Sequence, residues 1–317
     1  MQNNKPFSNL KYEFDAGNIT REEYWKGLNS FLSEILLFAQ VQKEYLIDLE
    51  ISGGDIFLKI KTSKNSKHKI TMIFKLSDIR SVPFIFLAHG FYEPFQLDIL
   101  LELGKRSKTF VDIGANMGFY SLALCLENID LRTFAFEPNP KVYNTLNLNS
   151  KLNHLTSRII TYNLGLSSTS DKLLMFEPQF SGTGAASLRN LHPEEGPPLE
   201  FQVEVRKLDD LELPKIDLIK IDVEGSEFNV LLGAREQIFL NKPTICAELL
   251  RKWMKPFGHR PQDFVDILLS LNYICFAISE KSLYEIAEIT EDTLETNFIF
   301  CHESKVSNID YLRGLIA

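Results

Sequence analysis

Apolar residues recur along the chain in two rhythms, and the change between them falls near residue 83. Before it, residues 21–43 carry apolar side chains at 24, 25, 28, 31, 32, 35, 36, 38 and 39. Much of this fits a helical stripe, with Thr20 and Glu23 spaced as a capping box. YLIDLEI and DIFLKIK then alternate around Ser52-Gly53-Gly54-Asp55, which predicts a hairpin, and KITMIFKL predicts a third strand. Residues 1–82 therefore read as a small α+β attachment or cap.

From residue 83 onward, short β-rich runs alternate with amphipathic segments. TFVDI (109–113) is followed by the helical FYSLALCLE, RTFAFE (132–137) by KVYNTLNLNSKLN, and then comes SRIITYN (157–163). KIDLIKID (215–222), SEFNVLLGA, PTICAELL (243–250), PQDFVDILLSLN, YICFAIS and TNFIFCH complete the series. This order predicts an α/β domain over 83–317 with a doubly wound, mostly parallel, Rossmann-like sheet, and permits an antiparallel hairpin at its end. Residues 177–200, rich in Gly, Ser and Pro, interrupt the alternation. So long a connection reads as a disordered excursion or as a lid over the strand ends where ligands bind.

Net charge is −8, from 34 basic and 42 acidic residues, a balance that points away from a nucleic-acid partner. Lys59, Lys61, Lys64, Lys67 and Lys69 are a local basic exception and read as a solvated loop. The four cysteines, Cys125, Cys246, Cys275 and Cys301, sit in apolar contexts without metal-ligand spacing and read as buried thiols. No apolar run approaches the roughly 18 residues of a membrane span, and no leader pattern opens the chain. The expectation is a cytoplasmic protein.

The chemistry concentrates where the first strand of the alternating region ends. Asp112-Ile113-Gly114-Ala115-Asn116-Met117-Gly118 passes from strand to helix, with glycines that allow positive φ and close ligand approach. A dinucleotide loop would read G-x-G-x-x-G, whereas Asn116 stands between Gly114 and Gly118 here. An acidic residue at the loop's start suits instead the cationic methionine end of S-adenosylmethionine (SAM). Glu137, at the end of the next strand, can accept both ribose hydroxyl protons.

VDIGANMGFYS, AFEPNP, LDDL at 208–211, IDLIKIDVEGSEFNVLLGA, AEL at 247–249 and TNFIFC together resemble the FkbM family of methyltransferases over residues 90–302. FYEPFQ at 91–96 is similar to the family's upstream Tyr-Glu segment. The resemblance implies a class I methyltransferase fold and SAM-dependent O-methylation of a hydroxyl on a sugar or natural product. By position, Asp112, Gly114, Asn116 and Gly118 would hold the methionine end and Glu137 the ribose, with Pro138 and Asn139 shaping the rim. Asn163 and Leu164 would lie against adenine, and Tyr92 and Glu93 would close over the cofactor or pack the N-terminal side.

The sulfonium already activates the methyl group, so what remains is to orient the acceptor oxygen and take its proton. Asp222, Glu248 and His259 are the candidate bases. Asp222 could instead pair with Lys220, and Asp222, Glu224 and Glu248 could together bind Mg²⁺ through oxygen, although their spacing does not require a metal. The expected acceptor is a small-molecule or glycan hydroxyl, on a sugar or on a polyketide-like scaffold. Base methylation would need an Asn/Asp-Pro-Pro-Tyr/Phe loop where this chain has Asp-Val-Glu-Gly. A non-catalytic SAM-binding module would share the same cofactor residues.

Overall fold

In the computed structural model the described residues are 12–27, 29–30, 46–53, 55–62, 66–74 and 81–316. Residues 21–27 are helical, and the capping box closes: the Thr20 amide donates to the Glu23 carboxylate (2.8 Å) and the Glu23 amide to Thr20 Oγ1 (3.2 Å). Most of the expected stripe beyond residue 30 lies outside the described residues. An antiparallel sheet follows, of β1 (Leu46–Ser52), β2 (Asp55–Lys61) and β3 (Lys69–Phe74), with Ser52 opposite Asp55 at the hairpin.

Helices α1 (Val82–His89) and α2 (Pro94–Lys105) lead into the alternating region. Its first half runs β4 (Thr109–Ile113), α3 (Phe119–Glu127), β5 (Arg132–Phe136), α4 (Pro140–Leu152) and β6 (Ile159–Tyr162). An excursion of β7 (Gly165–Leu166), β8 (Asp171–Glu177) and β9 (Leu199–Arg206) intervenes. The second half has β10 (Leu218–Ile221), α5 (Glu227–Leu232), α6 (Arg235–Asn241), β11 (Thr244–Glu248), α7 (Arg251–Met254) and α8 (Pro261–Ser270). The chain closes with β12 (Tyr273–Ile278), β13 (Leu283–Ile286), β14 (Asn297–His302) and α9 (Val306–Arg313).

Eight strands form the central sheet in the order β13-β12-β14-β11-β10-β4-β5-β6. The strands from β6 across to β11 are mutually parallel, and β14 inserts antiparallel between β11 and β12. Chain order reverses between β4 and β10, the switch point beside which ligands bind in open α/β sheets. Two alternatives of the sequence reading resolve here. The terminal hairpin is the β12–β14 pair, and residues 283–286 add an edge strand where a plain connection was expected. The 177–200 stretch is bracketed by β8 and β9, which pair antiparallel and were not foreseen.

Both sheet faces are buried, and the two-residue period of a strand divides its side chains between them. Phe110, Leu218, Cys246 and Ile299 join one cluster with α2 and α3, while Val111, Ile219, Ile245 and Phe298 join the other with α5 and α8. Leu58, Ile60, Ile70 and Met72 of the antiparallel sheet belong to the first cluster, so this sheet shares its core with α2 and α3. The four cysteines are buried and free. Among the described residues no helix is long and apolar enough to cross a membrane.

Asn149 of α4 ties the antiparallel sheet to the loop after β4. Its Oδ1 accepts from the Ile73 amide (3.0 Å) and its Nδ2 donates to the Met117 carbonyl (2.9 Å), with the side chain fully buried. Asn149→Leu leaves both backbone groups unpaired and is expected to cost roughly 2–4 kcal/mol, read as a lower urea midpoint.

Candidate active site

Parallel pairing brings the carboxyl ends of β5, β4, β10 and β11 to one edge of the sheet, in that spatial order. Glu137, Asp112, Asp222 and Glu248 stand at or just beyond those ends and line one cleft of about 250 Å³. Tyr92, Glu93, Gly114, Asn116 and Pro138 line it too.

Asp112 and Lys220 lie opposite each other in the β4–β10 register, on the face covered by α2 and α3. Asp112 is 1% exposed and accepts from Ser121 Oγ at 2.5 Å. Burial raises its pKa, with Lys220 and the Ser121 bond pulling the other way. Lys220, 4% exposed, donates to Asp222 at 2.7 Å and sits 4.9 Å from the centre of the Tyr120 ring. Burial alone would lower the ammonium's pKa, but Asp222, Asp112 and Glu93 together raise it instead. Glu93, in a left-handed conformation at φ 42°, accepts from Tyr120 Oη and from Gln96 Nε2 (3.1 Å). Its pKa is raised by burial against the pull of Lys220.

Glu137 fastens two loops. One carboxylate oxygen accepts the Asn116 amide (3.0 Å) and the other the Asn139 amide (2.8 Å). Burial pushes its pKa up to about 7 despite both bonds. Glu248 is raised further, by burial first and then by Asp222, Glu224 and Glu93.

The loop after β4 is spent on the fold more than the sequence suggests. The amides of Gly114 and Ala115 donate to the Phe136 carbonyl (3.0 Å each), Met117 to Asn116 Oδ1 (2.7 Å) and Gly118 to the Ala115 carbonyl (2.9 Å). With the Asn116 amide bound to Glu137, the amides of residues 114–118 are all engaged within the protein. Gly114 and Gly118 answer to packing. A Cβ on Gly114, at φ 77°, would stand 1.8 Å from the Asp222 carbonyl oxygen, and one on Gly118 would stand 2.4 Å from Leu146.

Three expected residues are placed elsewhere. His259 packs on Phe228 (4.4 Å between ring centroids) and is not among the residues lining the cleft. Asn163 turns its amide to the carbonyls of Glu137 and Pro138 (2.9 Å each), bracing the rim from behind. Leu164 is buried in the second apolar cluster.

Other residues enter the cleft unannounced. Thr183, Gly184, Ala186 and Leu188 form a wall from the 177–200 stretch, held by Ser187, whose hydroxyl donates to the Glu224 carbonyl (2.7 Å). Met175 and Val205, from β8 and β9, add apolar surface. Beneath the floor, Glu227 accepts the amides of Val223 (3.2 Å) and Gly225 (3.0 Å) and so shapes the turn after β10, with burial pushing its pKa to about 7. Small residues in a loop and a Glu at a helix start were visible in the sequence, but nothing local marked their positions. Among the described residues no group of three or more His, Cys, Asp and Glu is arranged to hold a metal ion.

The family model described as Methyltransferase FkbM domain matches residues 112–275. Methyltransferase sdnD of Sordaria araneosa is 31% identical, over 48% of this chain and 68% of its own length. Hexuronic acid methyltransferase AglP of Haloferax volcanii is 31% identical, over 43% of this chain and 53% of its own length. Among solved structures, methyltransferase FkbM from Methylobacillus flagellatus KT shows a TM-score of 0.40 at 22% identity, covering 61% of this chain and 43% of that one. The chain therefore spans about half the length of AglP and less than half of the M. flagellatus protein.

Three substitutions test this arrangement. Gly114→Ala is expected to cost well over ~2 kcal/mol, because it adds a clash to a strained φ. Gly196→Ala, at φ 93° with nothing within 4 Å, is expected to cost only about 1–2 kcal/mol. Lys220→Met should destabilise by roughly 3–5 kcal/mol near neutral pH, since carboxylates then lose their buried counter-ion. The raised lysine pKa keeps that contribution in place throughout neutral pH. The loss should shrink on acidification as the carboxyls take up protons, read from denaturation midpoints across pH.

Proposed function

The chain belongs to the FkbM methyltransferase family, and we propose that it transfers the methyl group of SAM to a hydroxyl, most readily one on a sugar. The observation that carries this reading is the single cleft in which the Asp112–Gly118 loop, Glu137 and Glu248 meet.

The donor set fits SAM in three respects. Each Glu137 oxygen spends one lone pair on a backbone amide and keeps another for a ribose hydroxyl. Asp112, Glu93 and Asp222 give the neighbouring part of the cleft the negative charge that a sulfonium and an ammonium require. Pro138, Leu166, Met175 and Val205 offer an apolar slot of the kind that takes a flat base. SAM brings a methyl group already activated by its sulfonium, so no metal is needed for transfer.

The protein's remaining work is to orient the acceptor and accept its proton. Asp222 is committed to Lys220 at 2.7 Å, so one of its oxygens is already engaged within the protein. Glu248 has a raised proton affinity and opens into the same cleft, which supports it as the base. Asp222 then forms the wall beside it. A hydroxyl-rich acceptor suits the carboxylates at this end, each of which can take a hydrogen bond. The relative whose name specifies a hexuronic acid lends support to the sugar class.

Labelled SAM offered with a panel of sugars and polyketide-type alcohols tests the acceptor class, and label appearing only in the polyketides would refute the sugar reading. Glu137→Gln is expected to weaken SAM affinity at least about tenfold, measured by calorimetry. Glu248→Gln should lower kcat by roughly a hundredfold or more with affinity for SAM retained. His259→Ala should turn over at close to the wild-type rate, as should enzyme treated with a chelator.

A further inference from the structure

Six carboxylates line the cleft, those of Glu93, Asp112, Glu137, Asp222, Glu224 and Glu248, and Lys220 is the one Lys or Arg among the described lining residues. Lys220 is already bonded to Asp222 and is drawn to Asp112 and Glu93. Glu248 ends β11 beside the end of β10, and that ammonium weighs less on it than burial and the three neighbouring carboxylates do. The groups facing it are Lys220 from β10, Asp222 and Glu224 from the following turn, Tyr92 and Glu93 from the α1–α2 connection, and Cys246 from its own strand. Three of these neighbours are carboxylates, and like charges in a partly dry space do not all stay ionised.

We propose that Glu248 keeps its proton in the free enzyme and releases it when the cationic donor enters, so that the donor's charge arms the base. The inference rests on the SAM reading given above. SAM carries one net positive charge, whereas its product, S-adenosylhomocysteine, carries none. A unit charge several ångströms away in a medium of effective dielectric about 20 moves a proton equilibrium by roughly two pH units. The donor therefore shifts Glu248 towards its carboxylate, and the product does not.

The same charge difference acts during transfer. The acceptor O–H bond breaks, an O–CH₃ bond forms, the electron pair of the S–CH₃ bond stays on sulfur, and the proton passes to the Glu248 carboxylate. Sulfur loses its positive charge in that step, so the proton affinity of Glu248 rises as the proton arrives. The donor thus raises the ionised share of the base before transfer, and the base becomes more strongly basic during it.

The test is calorimetric titration of the full chain with SAM, and separately with S-adenosylhomocysteine, in two buffers of different ionisation enthalpy. At about pH 7.5, SAM binding is expected to release roughly a quarter of a proton more than binding of the product, a difference that grows as the pH is raised. Glu248→Gln should erase that difference while still binding the product, which also shows that the variant folds. Equal proton counts for the two ligands in the wild-type chain would overturn the proposal, as would a difference that survives Glu248→Gln. Failure of both ligands to bind the wild-type chain would overturn the SAM reading itself, and the proposal with it.

Discussion

Burying a carboxylate costs several kcal/mol unless a positive charge and hydrogen bonds offset it, and the register of this sheet buries Asp112 in the middle of a hydrophobic layer. Lys220 stands directly opposite on the next strand. From that position it reaches Asp222, lies over Tyr120, and acts on Glu93 across the gap between sheet and helix. Without the ammonium the acidic edge of the sheet would be held together by hydroxyls and amides alone. The cleft and the core meet at this residue, whose stem packs with the apolar face while its head neutralises the polar one.

Parallel pairing is what turns separate sequence blocks into one site. Each strand ends at the same edge, so a residue just past a strand's last hydrogen bond projects into common space regardless of its distance along the chain. Glu137 and Asp222 follow that rule just beyond β5 and β10, while Asp112 and Glu248, within the last two positions of β4 and β11, open into the same space. Glu137 and Glu227 complete the arrangement by stapling turns that have no regular hydrogen bonding of their own.

The parallel core was legible because strands buried on both faces leave short, mostly apolar runs, as TFVDI and LIKI do around a single charge each, and because Gly114 and Gly118 mark a tight strand-to-helix turn. β8 was not, since only Met175 among its residues is fully buried and the signal of alternation fades with exposure. The wall at 183–188 is built mostly of small residues, which marked the stretch as an excursion or a lid without indicating which side chains face the cleft. Lys220 was visible as a partner for Asp222, but its burial and its position over Tyr120 depend on a helix packed from elsewhere in the chain. His259 and Asn163 show the converse: residues of suitable chemistry near strand ends whose side chains the surrounding packing directs elsewhere.

Asn149 gives this molecule a mechanical property. One side chain grips the backbone of β3 with its oxygen and the backbone of Met117 with its nitrogen. The outer sheet and the donor loop are thus two ends of a short rigid link pivoted on α4. A displacement of the outer sheet travels to the floor of the cleft through two hydrogen bonds, with no intervening flexible segment to absorb it. Whatever grips, tilts or loosens those three strands therefore has its hand on the donor loop.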